Sequence, residues 1–203
     1  MTRDIRDART FVLDRRKVVA AMLSGRGESL VISGLGSPTY DVAAAGDHHG
    51  NFYLWGAMGG AAMVGFGLAL AQPSRRVLVV TGDGEMLMGL GSLATIGVER
   101  PANLVIVVID NQHYGETGMQ LGHTGRGVDL AAIARAANFA AATTIETPEE
   151  LDAWIPRLYR DPGPLFAAIK VVAAPSPMEV PLLDGPHLKN RFRQALLDDK
   201  AFR

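Results

Sequence analysis

The 203-residue chain contains no cysteine, so it has no disulfides, thiolate zinc sites or iron–sulfur clusters of its own. It also lacks an excess of charge of either sign. Its 20 Lys and Arg stand against 21 Asp and Glu, for a net charge of −1, and the signs are interspersed. No electrostatic argument therefore favours nucleic acid or an anionic membrane as a partner. Repeats and low-complexity tracts are missing as well. One long uncharged run exists, residues 54–71, but its eighteen positions are rich in glycine and alanine and lead after a short turn into a strand-like segment. It is expected to be a buried helix packed closely on a flat surface, not a membrane span. The start, MTRDIRDARTFVLDRRKVV, is charged and unlike a signal sequence, so a cytoplasmic location is expected.

With 48% apolar and 20% charged residues, the composition is that of a globular protein with room for one domain. Residues 1–13 read as an arm, 14–173 as the folded domain, and 174–203 as a Pro-rich arm followed by an amphipathic helix carrying Leu188, Phe192 and Leu196 on one face. That helix has little local core to join and is expected to lie over a neighbouring surface. A first helix is expected at 14–24, a strand at 28–33, a helix at 129–138 and a strand at 140–145. A helix at 147–160 opens with Thr147 as cap, Pro148 first and Glu150 in the capping-box position, and a last buried strand spans 163–172. Alternating strands and helices predict an α/β fold, a doubly wound parallel sheet flanked by helices.

The most informative stretch is residues 81–118. An apolar run at 77–80 ends in Gly82-Asp83-Gly84, a helix-length segment follows, and a second apolar run at 104–109 ends in Asp110-Asn111. Two parallel strands joined by a helix bring Asp83 and Asn111 to the same carboxyl-terminal edge, where open α/β sheets bind ligands. A carboxylate and an amide oxygen suit Mg²⁺, which keeps other positions for phosphate oxygens and water. Gly82 and Gly84 permit close backbone approach, and a helix beginning near Glu85 turns free N–H groups towards an anion. The spacing predicts a Mg-diphosphate site. A plain βαβ unit, with Asp and Asn making turns and caps, is the alternative.

Gly-Asp-Gly followed about twenty-five residues later by Asn, then by Tyr114-Gly115-Glu116-Thr117-Gly118, resembles the cofactor signature of thiamine-diphosphate enzymes. The resemblance implies metal ligation by Asp83, Asn111 and the backbone carbonyl of His113, and cofactor contacts by Gly82, Gly84, Glu85, Tyr114 and Gly115. The family often has Asn-Asn where this chain has Asp110-Asn111. The loop after the first strand, Gly34-Leu35-Gly36-Ser37-Pro38, corresponds to one that contacts the diphosphate, which makes Ser33, Gly36 and Ser37 candidates. Gly56-Ala57-Met58-Gly59 resembles the segment in which a bulky apolar residue, here Met58, props the cofactor into its bent form while the Gly56 carbonyl accepts from its amino group. His48, beside His49, falls where related decarboxylases carry a His, and His48 and His113 are the candidates for handling a proton or the substrate anion.

In this family the carboxylic acid that activates the aminopyrimidine comes from a separate pyrimidine-binding domain, for which 203 residues leave no room. The resemblance therefore implies the diphosphate-binding half of a split enzyme, completed by a pyrimidine-binding (alpha) subunit that supplies a Glu. It also implies decarboxylation of a small 2-oxo acid such as sulfopyruvate or phosphonopyruvate, with thiamine diphosphate and Mg²⁺ as cofactors. Carboligation, or a non-catalytic cofactor-binding module, are the competing readings. The lack of cysteine separates the chain from relatives that pass electrons to nearby iron–sulfur clusters.

Overall fold

The computed structural model describes residues 10–201, so most of the expected arm at 1–13 lies outside the described residues. The order of elements is α1 (Arg15–Leu23), β1 (Leu30–Ser33), α2 (Ser37–Ala44), β2 (Asn51–Tyr53), α3 (Ala61–Ala71), β3 (Val77–Gly82), α4 (Asp83–Met88), α5 (Ser92–Glu99), β4 (Leu104–Asp110), β5 (His113–Tyr114), β6 (Gln120–Leu121), α6 (Leu130–Ala136), β7 (Ala141–Ile145), α7 (Pro148–Arg160), β8 (Leu165–Lys170) and α8 (Gly185–Leu197). Six strands form one sheet in the order β2-β1-β3-β4-β8-β7, and every pair is parallel. β5 and β6 form a small antiparallel ribbon.

Period-two alternation along the strands divides the core into two layers. Leu78 and Val80, with Val105, Val107 and Ile109, face α1 and α7, where Val18, Val19, Met22, Leu151, Trp154 and Leu158 meet them. Val77 and Val79, with Leu104, Ile106 and Val108, face α3, α5 and α6 through Phe66, Leu93, Ile96, Leu130 and Ala134. The Gly- and Ala-rich helix α3 lies flat on the sheet. A β-carbon on its Gly65 would stand 2.2 Å from Val79 Cγ2, so only glycine allows that approach. Among the described residues no helix is long and apolar enough to cross a membrane.

The expected capping box at α7 is present: Thr147 Oγ1 accepts from Glu150 N, and Glu150 accepts in return from the Thr147 backbone. Three expectations need correction. The segment after Gly-Asp-Gly is two short helices, α4 and α5, broken at Gly89 to Gly91. Residues 37–53, where the sequence pattern marks no helix or strand, fold as α2 and the edge strand β2. The C-terminal helix packs on its own domain. Phe192 meets Phe52 of β2 with ring centroids 5.3 Å apart, Leu188 joins the core, and Arg191 Nη2 donates to Asp47 Oδ1 over 3.0 Å. β2 is only three residues long and would leave a bare sheet edge, and α8 covers it.

From β1 the chain steps outward through α2 to β2, then returns through α3 to β3 on the other side of β1. α2 packs with one apolar layer through Val42 and α4 with the other through Met86. The carboxyl ends of β1 and β3 thus open into a crevice between two helices that leave on opposite faces, a topological switch point.

Candidate functional site

A cleft of about 190 Å³ occupies that switch point. Its walls are the start of α2 (Leu35, Gly36, Ser37, Pro38), the start of α4 (Gly82, Asp83, Gly84, Glu85), the end of β4 with the ribbon after it (Ile109, Asn111, and 113–117), and Met58 and Arg15. Of the expected residues, Gly36, Ser37, Met58, Gly82, Asp83, Gly84, Glu85, Asn111, His113, Tyr114 and Gly115 all line it.

Asp83 is 3% exposed. Its Oδ2 lies 3.0 Å from Thr124 Oγ1, and the same hydroxyl lies 2.8 Å from Asp110 Oδ1. One hydroxyl proton serves one acceptor at a time, so these two carboxylates share a single donor. Asp110 has a further partner: Lys170, directly opposite it in the β4–β8 register, places Nζ 2.5 Å from Asp110 Oδ2. No ion pair is formed by Asp83 among the described residues. Burial, with the neighbouring negative charge of Asp110, pushes its carboxyl up to about 7. A buried carboxylate with no cation of its own among the described residues, at the rim of a cleft, has the chemistry of a metal ligand.

Asn111 is positioned by a kink. Gln112 is a buried non-glycine residue in the left-handed region, with φ of 63°, and this turns the His113 N–H back onto Asn111 Oδ1 at 2.9 Å. Strain of this kind persists where the surroundings over-determine it. The amide oxygen has a second lone pair to offer a cation. The carboxylate, the amide oxygen and a nearby backbone carbonyl are hard oxygen donors that fit Mg²⁺ without a cluster of three acidic or histidine side chains, and no such cluster occurs among the described residues.

Glu85 is buried as well, and burial raises its carboxyl while hydrogen bonds from Thr81 and backbone amides oppose the rise. Its Oε2 accepts from Thr81 Oγ1 at 2.8 Å and from Leu35 N at 3.2 Å. It thereby ties the loop after β1 to β3. A β-carbon on Gly34 would lie 1.6 Å from Glu85 Oε2, so glycine at that position makes room for the tie. Tyr114 closes over Gly84, whose added β-carbon would fall 2.7 Å from the ring, and its hydroxyl pairs with His123 Nδ1 at 2.8 Å. Met58, on the cleft wall, is 40% exposed, which leaves its apolar side chain open to pack against a ligand.

Three expected residues are displaced from the cleft. His48 precedes β2 and so sits at the amino-terminal edge of the parallel sheet, opposite the cleft. Its Nδ1 accepts from Gly50 N at 2.9 Å, its ring stacks on His49 at 4.1 Å, and burial with nearby Arg26 lowers its pKa. His48 therefore does not line this cleft. Ser33 is fully buried and its Oγ lies 3.1 Å from Thr39 Oγ1 inside the fold, so it supports the loop and does not line the cleft. Gly56 lies in the exposed turn before α3, also outside the lining.

Sequence reasoning missed Thr124, Lys170 and Arg15. The first two depend on long-range contacts that no local pattern signals. Arg15 did leave a trace: positions 15, 18, 19 and 22 share the buried stripe of α1, which places an arginine in line with Val18, Val19 and Met22.

Comparisons with known proteins bear on this cleft. Residues 36–169 match the thiamine pyrophosphate enzyme C-terminal TPP-binding domain. The sulfopyruvate decarboxylase beta subunit of Methanothermobacter thermautotrophicus is 35% identical over 182 residues, covering 90% of this chain and 95% of its own. The corresponding subunit of Methanocaldococcus jannaschii is 40% identical over 139 residues, 68% and 73% of the two chains. Phosphonopyruvate decarboxylase of Streptomyces viridochromogenes is 38% identical over 144 residues, 71% of this chain but 36% of that one. Among solved structures, benzoylformate decarboxylase from Polynucleobacter necessarius superposes with a TM-score of 0.69 at 17% identity, over 85% of this chain and 36% of that one. This likeness shows the shared fold, and the chain spans about a third of such single-chain proteins.

Proposed function

Because the chain belongs to the thiamine-diphosphate enzymes, as their C-terminal cofactor-binding domain, we propose that it is the diphosphate-binding subunit of a decarboxylase acting on a small anionic 2-oxo acid. The observation that carries this reading is the buried Asp83 carboxylate, without an ion-pair partner among the described residues, sharing a cleft with Asn111 and His113 at the β1/β3 switch point. In this reading Asp83, Asn111 and the His113 carbonyl would hold Mg²⁺, and the starts of α2 and α4 would receive the cofactor's diphosphate. Names of relatives support the substrate class: sulfopyruvate and phosphonopyruvate are 2-oxo acids with a second anionic group.

Bound there, thiamine diphosphate supplies an electron sink for cleavage of the bond between the keto carbon and the carboxylate. The chain's own residues orient and enclose. Asp83 would hold the metal as a carboxylate, giving up the proton that its raised carboxyl retains in the metal-free fold. Glu85 fixes the loop that forms one wall, and Tyr114 covers Gly84 and limits water at the phosphate end. Met58, on the cleft wall, would present its apolar side chain to the cofactor. His113, whose Nδ1 contacts the Asn111 carbonyl at 2.8 Å, is the remaining cleft histidine for a proton or the substrate anion.

A second chain completes the site. Glu85 is engaged with Thr81 and Leu35 and Glu116 lies in the exposed turn that follows Asn111, beside Gly36, so in this reading the acid that serves the pyrimidine ring comes from the second chain. Met58, Met63, Val64 and Met88 are exposed around the place where Gly59 and Gly89 bring the approach to α3 and the end of α4 into contact, an apolar surface suited to a subunit interface. The relatives named beta subunits support this arrangement.

Protein isolated together with its companion chain is expected to convert sulfopyruvate or phosphonopyruvate to CO₂ and the aldehyde. Formation of a ligation product from an added aldehyde would indicate a carboligase, and no turnover of any 2-oxo acid by a cofactor-loaded complex would reject the enzymatic reading. Met58→Ala is expected to lower kcat by about 10- to 100-fold with little change in cofactor affinity, the signature of lost orientation. An equal loss in affinity with unchanged kcat would assign Met58 to plain packing.

A further inference from the structure

Arg15 is the one Lys or Arg among the residues lining the cleft, whose other charged walls are the carboxylates Asp83, Glu85 and Glu116. It is 6% exposed, and the burial is built. Its Nη1 donates to Asp41 Oδ2 over 2.6 Å and to the Ser37 carbonyl over 3.1 Å. Asp41 is fully buried and also accepts from Arg16 Nε at 3.3 Å. Arg16 in turn donates to the carbonyl of Pro177, which anchors the cluster to the C-terminal arm.

Two guanidinium groups around one carboxylate leave a net positive charge, and it lies at the first turn of α2. That helix begins at Gly36, which has φ of 65° and makes no side-chain cap. A helix start and a buried cation therefore converge on one end of the cleft. Arg15 Nη2 and Nε have no hydrogen-bond partner among the described residues, and they are absent from its fully enclosed unpaired atoms, so the guanidinium keeps donors to offer.

We infer that Arg15, set by Asp41, binds an oxyanion group of the ligand in this cleft. The chemistry is common to the cofactor's diphosphate and to the sulfonate or phosphonate of a substrate, and the inference rests on the cofactor reading above. Asp41 and Arg16 are positioning residues that hold the Arg15 fork against Ser37.

The test uses the protein with its companion chain and measures two quantities: the dissociation constant of thiamine diphosphate with Mg²⁺, and KM for sulfopyruvate against pyruvate. Arg15→Gln carries the test. The pair Arg15→Gln with Asp41→Asn avoids an unpaired buried carboxylate, and thermal melting in the absence of ligand controls for folding. On the order of a 10- to 100-fold loss is expected in one arm, from loss of a charge-assisted bond, with partial rescue by Arg15→Lys. Loss in the binding arm assigns the diphosphate; loss confined to KM for sulfopyruvate, with pyruvate unaffected, assigns the substrate's second anion. Unchanged values in both arms, or losses that merely track the melting temperature, overturn the inference. If the unsubstituted protein fails to bind thiamine diphosphate, the cofactor reading itself fails, an outcome distinct from an Arg15 substitution without effect.

Discussion

Asp83→Asn is expected to abolish Mg²⁺-dependent binding of thiamine diphosphate, with at least a 1,000-fold loss of turnover as an order-of-magnitude expectation, and at the same time to stabilise the metal-free protein. The two effects have one origin. Asn keeps the shape and can still accept from Thr124, but it carries no charge to hold a cation. In the metal-free fold that charge is a cost, because Asp83 is buried beside Asp110 and its carboxyl is pushed up to about 7. A raised carboxyl means that the folded state binds its proton more tightly than the unfolded chain does. Its unfavourable contribution is therefore absent below the ordinary carboxylate range, grows as pH rises towards 7, and is complete above it. At pH 8 the metal-free Asn variant is expected to be more stable than the parent by about 1–3 kcal/mol, a gain of several degrees in Tm. At pH 4 the two should melt together. Melting curves at both pH values with EDTA, and again with Mg²⁺ and cofactor, check this. A parent that is the more stable at pH 8 in EDTA would show that Asp83 has a compensating partner within the chain.

Lys170→Met is expected to destabilise the protein by about 3–5 kcal/mol, the usual cost of stripping one member from a buried ion pair. Asp110 is 1% exposed and Lys170 Nζ lies 2.5 Å from it. Without the ammonium, Asp110 and Asp83 face each other across the Thr124 hydroxyl with only a single proton between them. Replacing Asp110 by Asn in the same protein removes the orphaned charge, so the double substitution should recover most of the stability and the cofactor binding. Asp110 stands where the family often has Asn, and Lys170 sits opposite it in register on the neighbouring strand. The aspartate and the lysine thus form one charge-compensated pair across the two strands. Urea unfolding of the two singles and the double measures the coupling directly. A double variant as unstable as the sum of the singles would deny that the pair acts as a unit.

These cases show where the sequence was legible. Strand runs such as 77–82 and 104–110, the Thr147 capping box and the Gly-Asp-Gly to Asn111 spacing are local signals, because period and cap chemistry act over a few residues. They were enough to place the sheet and the end of the cleft where Asp83 and Asn111 meet. α2 and β2 were illegible since eight- and three-residue elements take most of their stability from packing, through Val42 and Tyr53 into the core, and not from propensity. The fate of α8 could not be read because its amphipathic face does not say which apolar surface it meets, and Phe52 on the edge strand supplies that surface. His48 illustrates the opposite error. A family position suggested chemistry, yet the direction of β2 carries it to the far edge of the sheet. The Asp110–Lys170 and Arg15–Asp41 pairs span 60 and 26 residues, and charge pairing over such separations becomes visible only once the strands, in the first case, and the helices α1 and α2, in the second, are packed together.

Equilibrium binding of thiamine diphosphate to the isolated protein complex, titrated with Mg²⁺ and then with EDTA, tests the cofactor cleft most directly. The account predicts saturable binding at one cofactor per copy of this chain, dependent on Mg²⁺, reversed by chelation and lost in Asp83→Asn. Cofactor bound equally well with metal removed, or undiminished in Asp83→Asn, would contradict it.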